Sequence, residues 1–167
     1  MRKLTGADYE SVRPCFERAA KVARKATCRK ARCGSVVVAP DGAVIGTGYN
    51  SPLLDKESNR VCSEDYSSSK KLHYGRTCCV HAEWRAILDA SKNHSGKIDG
   101  STIYFMRIAA DGNFTPAGEP FCTVCSRLAA EAGITEFALW NEDGAYVYDA
   151  EEYNRKSYEF FSEPAVH

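Results

Sequence analysis

The chain predicts a mixed α/β fold, a sheet of about five strands with helices on both faces. Two observations carry this. Segments of helical and of strand periodicity alternate along the sequence, with Gly and Pro marking the joins. Their order is helix, two strands, helix, strand, helix, two strands, helix, which a mixed sheet covered on both sides accommodates. The 167 residues suit one domain spanning 1–167, and no repeat or low-complexity tract divides them.

Residues 5–25 read as a basic N-terminal helix. Thr5 with Asp8 forms a candidate capping box, and Val12, Cys15, Phe16, Ala19, Val22 and Ala23 recur at helical spacing. Ser35–Ala39 and Ala43–Tyr49 are β-rich runs joined by Pro40-Asp41-Gly42, so they predict a hairpin. Residues 50–77 are polar and aperiodic, hence a long loop with room for a short helix. Cys79–Lys92 predicts a helix with Ala82, Ala86, Ile87 and Ala90 on its apolar side. Thr102–Ile108 is a strand, 110–119 a loop, and Cys122–Ala132 a helix stopped by Gly133. Two further strands, Glu136–Trp140 and Tyr146–Tyr148, precede a C-terminal docking helix, 149–161, capped by Asp149 with Glu152.

The charges balance at 22 basic and 22 acidic residues, which argues against a general affinity for polyanions. Lys21, Arg24, Lys25, Arg29, Lys30 and Arg32 nevertheless fall together without an acid, a pattern that fits either a solvated face or a nucleic-acid patch. No aromatic platforms interleave with them, which favours the solvated face. No apolar run is long enough to span a membrane, and the first residues lack the apolar core of a signal peptide. A cytoplasmic location is therefore expected, with the eight cysteines serving as thiols and metal ligands rather than disulfides.

Two short motifs carry the chemistry: His81-Ala82-Glu83 and Pro120-Phe121-Cys122-Thr123-Val124-Cys125. One imidazole and two thiolates can hold Zn²⁺ while leaving a fourth tetrahedral position for water. Glu83, not needed as a ligand, can shuttle that water's protons. Cys122 and Cys125 are one helical turn apart, and a helix start favours thiolate over thiol. Alone, C-x-x-C also fits half a zinc ribbon or a redox pair. The ribbon lacks its second pair, and a redox pair leaves His81 and Glu83 unexplained. Cys28, Cys33, Cys62, His73 and Cys78 offer donors for a second, structural zinc, but their spacings fit no standard module, so one catalytic zinc per chain is expected.

From about Ala23 to Leu139 the chain resembles the cytidine/deoxycytidylate deaminase superfamily. H-x-E…P-C-x-x-C is the known signature of zinc deaminases, here interrupted by Phe121. Cys33-Gly34-Ser35-Val36-Val37-Val38 through Gly46-Thr47-Gly48-Tyr49-Asn50-Ser51-Pro52 looks like the hairpin of the deoxycytidylate branch, as do Thr27-Cys28-Arg29 and Thr77-Cys78-Cys79-Val80-His81-Ala82-Glu83. The resemblance implies a three-layer α/β/α cytidine-deaminase-like fold, zinc on His81, Cys122 and Cys125, and proton transfer by Glu83. It further implies a substrate contact from Asn50, a hydrogen bond from the Ala82 N–H to the pyrimidine carbonyl, and a homo-oligomer. As a hairpin-exit residue, Asn50 fits a turn role as well. Phe121, Trp84 in place of the branch's usual Gln, and the longer 109–119 loop depart from the family near the expected pocket. Arg107, closing the strand before the cysteines, suits either a phosphate contact or the pairing with an acid by which Arg commonly closes strands.

The leading expectation is hydrolytic deamination of a cytosine-type nucleotide or nucleoside, dCMP- or CMP-like. A purine base or other amino-heterocycle, single-stranded DNA or RNA, and a non-catalytic zinc scaffold are the alternatives. Structural zinc would not require Glu83, which argues against the last.

Overall fold

The computed structural model describes residues 1–62 and 78–162, so His73 and the middle of the 50–77 loop lie outside the described residues. Among the described residues seven strands form the main sheet. They are β1 (Arg2–Leu4), β2 (Arg32–Val38), β3 (Val44–Tyr49), β6 (Thr102–Ile108), β7 (Phe114–Thr115), β8 (Glu136–Asn141) and β9 (Gly144–Asp149). A separate two-stranded ladder pairs β4 (Ser51–Pro52) with β5 (Cys79–Val80). The helices are α1 (Gly6–Ala23), α2 (Ala82–Asn93), α3 (Thr123–Glu131) and α4 (Ala150–Ser162).

The main sheet runs β1-β9-β8-β6-β2-β3, with β7 alongside β6. All neighbours are antiparallel except β6 and β8, which α3 joins as a parallel crossover. The mixed sheet is therefore as expected in class and larger than five strands. The two additions escaped the sequence because each is very short. β1 is three residues pairing Arg2 with Val147 at the sheet edge, and β7 turns the expected 110–119 loop into a hairpin on Arg107 and Ile108.

Strand alternation separates two cores, one on each face. Val36, Val38, Met106, Ile108, Ala138 and Val147 meet Phe16, Ala19 and Ala23 of α1. Val37, Ile103, Phe105, Phe137 and Leu139 meet Ala86, Ile87 and Ala90 of α2, Ala129 of α3 and Tyr153 of α4. This is the three-layer arrangement, α1 on one side and α2, α3 and α4 on the other.

Local chemistry explains most boundaries. The hairpin turn between β2 and β3 uses Gly42 at φ +84, and the Gly133 stop after α3 has φ +89. Asp149 caps α4 as expected, its Oδ1 accepting from the Glu151 N–H at 2.9 Å and the Glu152 N–H at 3.4 Å. Thr5 occupies the N-cap of α1 but its side chain makes no capping bond, so the expected capping box does not form. The helix expected from Cys79 begins at Ala82, because Cys79 and Val80 are drawn into extended pairing with Pro52 and Ser51. His81 is thereby left as the extended N-cap residue, φ −69 and ψ 152.

Candidate metal centre

Two helix starts converge on the α2/α3 side of the sheet. His81 caps α2, and Cys122 caps α3 with its sulfur accepting from the Cys125 N–H at 3.3 Å. His81 Nδ1 lies 3.1 Å from Cys125 Sγ and 3.4 Å from Cys122 Sγ, and the two sulfurs are 2.9 Å apart. Among the described residues these three form a group whose donor atoms all lie within 4.8 Å of one another. Both sulfurs are fully buried. One nitrogen and two sulfurs converging in this way match the donor preference of zinc, and three protein ligands leave a coordination position open.

The position of α2 follows from glycine in β3. A Cβ on Gly48 would lie 2.2 Å from the Ala82 carbonyl oxygen, and one on Gly46 2.2 Å from that of Ala86. Only hydrogen at both positions lets the first two turns of α2 lie directly on the strand. Asp89 then ties the same helix to β3, accepting from the Thr47 N–H at 2.9 Å. Gly46, Gly48 and Asp89 hold α2 in place, Arg85 adds a bond from Nη2 to the Pro52 carbonyl at 2.8 Å, and none of the four was anticipated as a site residue; the small residues alternating in a strand were the available signal.

Electrostatics reflect burial and mutual proximity. Hydrogen bonding from Cys125, then from His81, holds the Cys122 thiol down to about 4 against the effect of burial. Cys125 moves the other way, raised by burial and by the neighbouring Cys122 sulfur. Burial opposes the charged form of His81, but the Cys122 sulfur and the Glu83 carboxylate, with a smaller contribution from Cys28, together outweigh it and raise the imidazole to about 9. Glu83, 5 % exposed on the first turn of α2, is pushed up to about 7 by burial, with the His81 imidazolium pulling it down and the Cys122 thiolate pushing it up. A carboxyl poised there can both take and return a proton near neutrality.

The remaining expected residues are dispersed. Ala82 is buried in the first turn of α2, whose N–H groups have no partner within the helix. Trp84 is half-buried, and its indole Nε1 is buried without a partner among the described residues. Phe121 is half-buried, with its ring 6.2 Å from that of Phe160 on α4. Arg107 shares a sheet face with Ile103 and Phe105, the face that carries α2 and α3, and pairs across β2 with Cys33. Asn50 spends its amide on backbone, accepting from the Cys33 N–H at 2.9 Å and donating to the Ala31 carbonyl at 2.8 Å.

The basic segment does not face the metal centre through Arg32. Arg24, Lys25, Arg29, Lys30 and Arg32 are all exposed, but Arg32 shares the face of Val36, opposite the metal centre. Arg29 lies 3.6 Å from Glu57 in an ion pair. No disulfide joins any pair of cysteines among the described residues. Among the described residues no second group of metal donors assembles, while His73 stands outside them. No helix among these residues is long and apolar enough to cross a membrane.

The family model for the cytidine and deoxycytidylate deaminase zinc-binding region matches residues 10–140. The chain belongs to this family. It is a zinc-dependent deaminase by family, and the His81, Cys122 and Cys125 cluster can hold one zinc ion. Among solved structures, it is similar to the dCMP deaminase of cyanophage S-TIM5 in complex with dCMP and dUMP, at 21% identity and TM-score 0.55. That match covers 80% of this chain and 82% of the phage chain. It is also similar to the cytidine deaminase of Burkholderia pseudomallei, at 20% identity and TM-score 0.55, covering 84% of this deaminase and 94% of the other. At these identities the likeness is one of fold. No curated protein matches the deaminase in sequence.

Proposed function

We propose that this deaminase hydrolyses the exocyclic amino group of a cytosine-type nucleotide or nucleoside, with dCMP- or CMP-like substrates favoured, releasing ammonia and leaving a carbonyl. The observation that carries the reading is the convergence of half-buried His81 with buried Cys122 and Cys125 beside buried Glu83, in a chain of the deaminase family. The likeness in fold to a phage enzyme crystallised with dCMP and dUMP supports the nucleotide preference.

Bound zinc supplies a water acidified to near neutrality, with a pKa of about 7 in favourable sites. His81 contributes its Nδ1, the atom facing both sulfurs. Cys122 and Cys125 contribute thiolates held at the start of α3, whose helix dipole favours the anionic form. Glu83 accepts one proton of the attacking water and delivers it to the ring nitrogen; it then takes the remaining proton from the added hydroxyl and passes it to the amine, so that the C–N bond breaks as the carbonyl forms and ammonia departs. Burial keeps bulk water from competing for that proton. The first-turn N–H of Ala82 is the donor for the pyrimidine carbonyl, Trp84 and Phe121 shape the wall, and Arg107 is the cation for a phosphate.

Incubation of the zinc-loaded protein with dCMP, CMP, cytidine, deoxycytidine and cytosine, following absorbance and ammonia, tests the reading. Turnover is expected on at least one, with the nucleotides best. Silence on all five, with turnover of guanine, adenine or a pterin, would move the substrate to another amino-heterocycle.

A further inference from the structure

The last helix, α4, lies outside the residues 10–140 that the family model matches, yet it packs along α3, whose first turn carries Cys125. Two neighbouring residues make the connection. Tyr153 is 2 % exposed, with its ring stacked on that of Phe137 at 4.0 Å and 17° and meeting Tyr148 edge-on at 5.9 Å. It shares one apolar core with Ala129 of α3 and with Ala86 and Ile87 of α2, the two helices that start at the metal centre. Burial holds its hydroxyl neutral, and negative charge on Glu83, Cys125 and Cys122 acts in the same sense, so the ring lies in the neighbourhood of those groups.

Asn154 reaches the centre through a hydroxyl. Ser126, next to Cys125, is fully buried, and its Oγ donates to the Asn154 Oδ1 at 2.8 Å. The same Oγ lies 3.1 Å from the Thr123 carbonyl of its own helix. A serine hydroxyl has one hydrogen to donate, and the shorter contact is the one to α4. The Ser126 N–H donates to the Cys122 carbonyl at 3.0 Å, so this residue also closes the turn on which both sulfurs stand. Hydrogen bonds weaken steeply away from linearity, so the bond between the helices sets how that turn is rotated against α4. The direction of the Cys125 side chain follows from the same rotation.

We propose that Asn154, acting through Ser126, is a positioning residue for the zinc ligand Cys125, with Tyr153 seating the helix that carries it. The proposal rests on the zinc centre of the function proposed above, and it gives α4 a part in holding the metal. Partners one step removed from metal ligands alter affinity or activity by about 10–100-fold when lost. Asn154 stands a step further back, which places its effect at the low end of that range.

The test follows zinc release to a chromogenic chelator from zinc-loaded wild type, Ser126→Ala, Asn154→Ala and the double variant. Arg155→Ala, on the exposed face of α4, is the control. Release about tenfold faster is expected in each single variant, and no faster in the double, because both substitutions remove the same bond. The control is expected to release zinc at the wild-type rate. In cobalt-loaded protein the absorption bands that report sulfur ligation are expected to shift in Ser126→Ala and Asn154→Ala and to stay in place in Arg155→Ala. A substitution that only destabilised the fold would lower the Tm without moving these bands. Ser126→Ala decides by itself if Asn154→Ala does not fold. Wild-type release with unmoved bands in the folded variants overturns the proposal, and so do additive effects in the double variant. A wild type that holds zinc but turns over no cytosine-type substrate removes the proposed function, while the release rates still decide the role of Asn154.

Discussion

His81 Nδ1 and Cys125 Sγ lie 3.1 Å apart although 44 positions separate them in the chain. The approach joins the starts of two helices that share one face of the sheet, α2 seated on β3 through Gly46 and Gly48, and α3 crossing from β6 to β8. Each helix start presents partial positive charge and unpaired N–H groups toward the same small volume.

Glu83→Ala separates proton transfer from metal binding. Zinc stoichiometry is expected to remain that of wild type, because the donor group does not include Glu83. Turnover is expected to fall by at least about 10²-fold, the usual scale of acid–base contributions. Metal analysis alongside steady-state rates checks both, and wild-type turnover would remove Glu83 from the mechanism.

Chelation is expected to abolish turnover, and stoichiometric zinc to restore it. Cys125→Ser is expected to lower zinc content without restoring activity at excess metal, since a hard hydroxyl replaces a thiolate in a site built for N and S donors. Metal content after dialysis, plotted against rate, reports the outcome; full activity in a metal-free sample would refute it.

Gly48→Ala introduces a methyl 2.2 Å from the Ala82 carbonyl and 2.4 Å from the Ala86 N–H nitrogen. The neighbouring atoms are backbone and cannot rotate away, so α2 must lift from the sheet. A loss of about 1–3 kcal/mol in chemical denaturation is expected, the usual cost of overpacking. Activity is expected to fall further than stability alone explains, because Ala82 and Glu83 begin that helix. Equal stability and activity would show that α2 tolerates the displacement.

Tyr49 donates to Asp55 at 2.6 Å, and this bond holds the Asp55 carboxyl below its ordinary value of 3.8. A lowered folded-state value means the unfolded chain binds the proton more readily. The stabilisation is thus present above pH 3.8 and is lost as pH falls through the depressed folded value. Tyr49→Phe is expected to lower the Tm modestly at neutral pH and to converge with wild type in acid. A difference that persists unchanged at low pH would assign the effect to packing instead.

Much of the centre was legible in the residues themselves. His81, Glu83, Cys122 and Cys125 bring a donor set and a carboxylate whose chemistry needs no fold to recognise, and the hairpin at Pro40-Asp41-Gly42 follows from local turn preference. β1 and β7 were not legible, because two or three residues carry no period and gain order only from the edge they pair with. The helix start at 79 was misplaced for a related reason. Cys79 and Val80 are extended because Ser51 and Pro52 lie opposite, a partnership between segments far apart in the chain.

The amino-acid sequence by itself determined which groups this deaminase brings to a metal and a proton, since side-chain chemistry is a property of the residue. Tertiary structure alone decided what those groups face. It closed the distance between His81 and Cys125, buried Glu83, sent Arg32 and Arg107 to opposite faces of the sheet, and turned the Asn50 amide toward Ala31 and Cys33. Burial and long-range pairing depend on the whole chain at once, and no local pattern carries them.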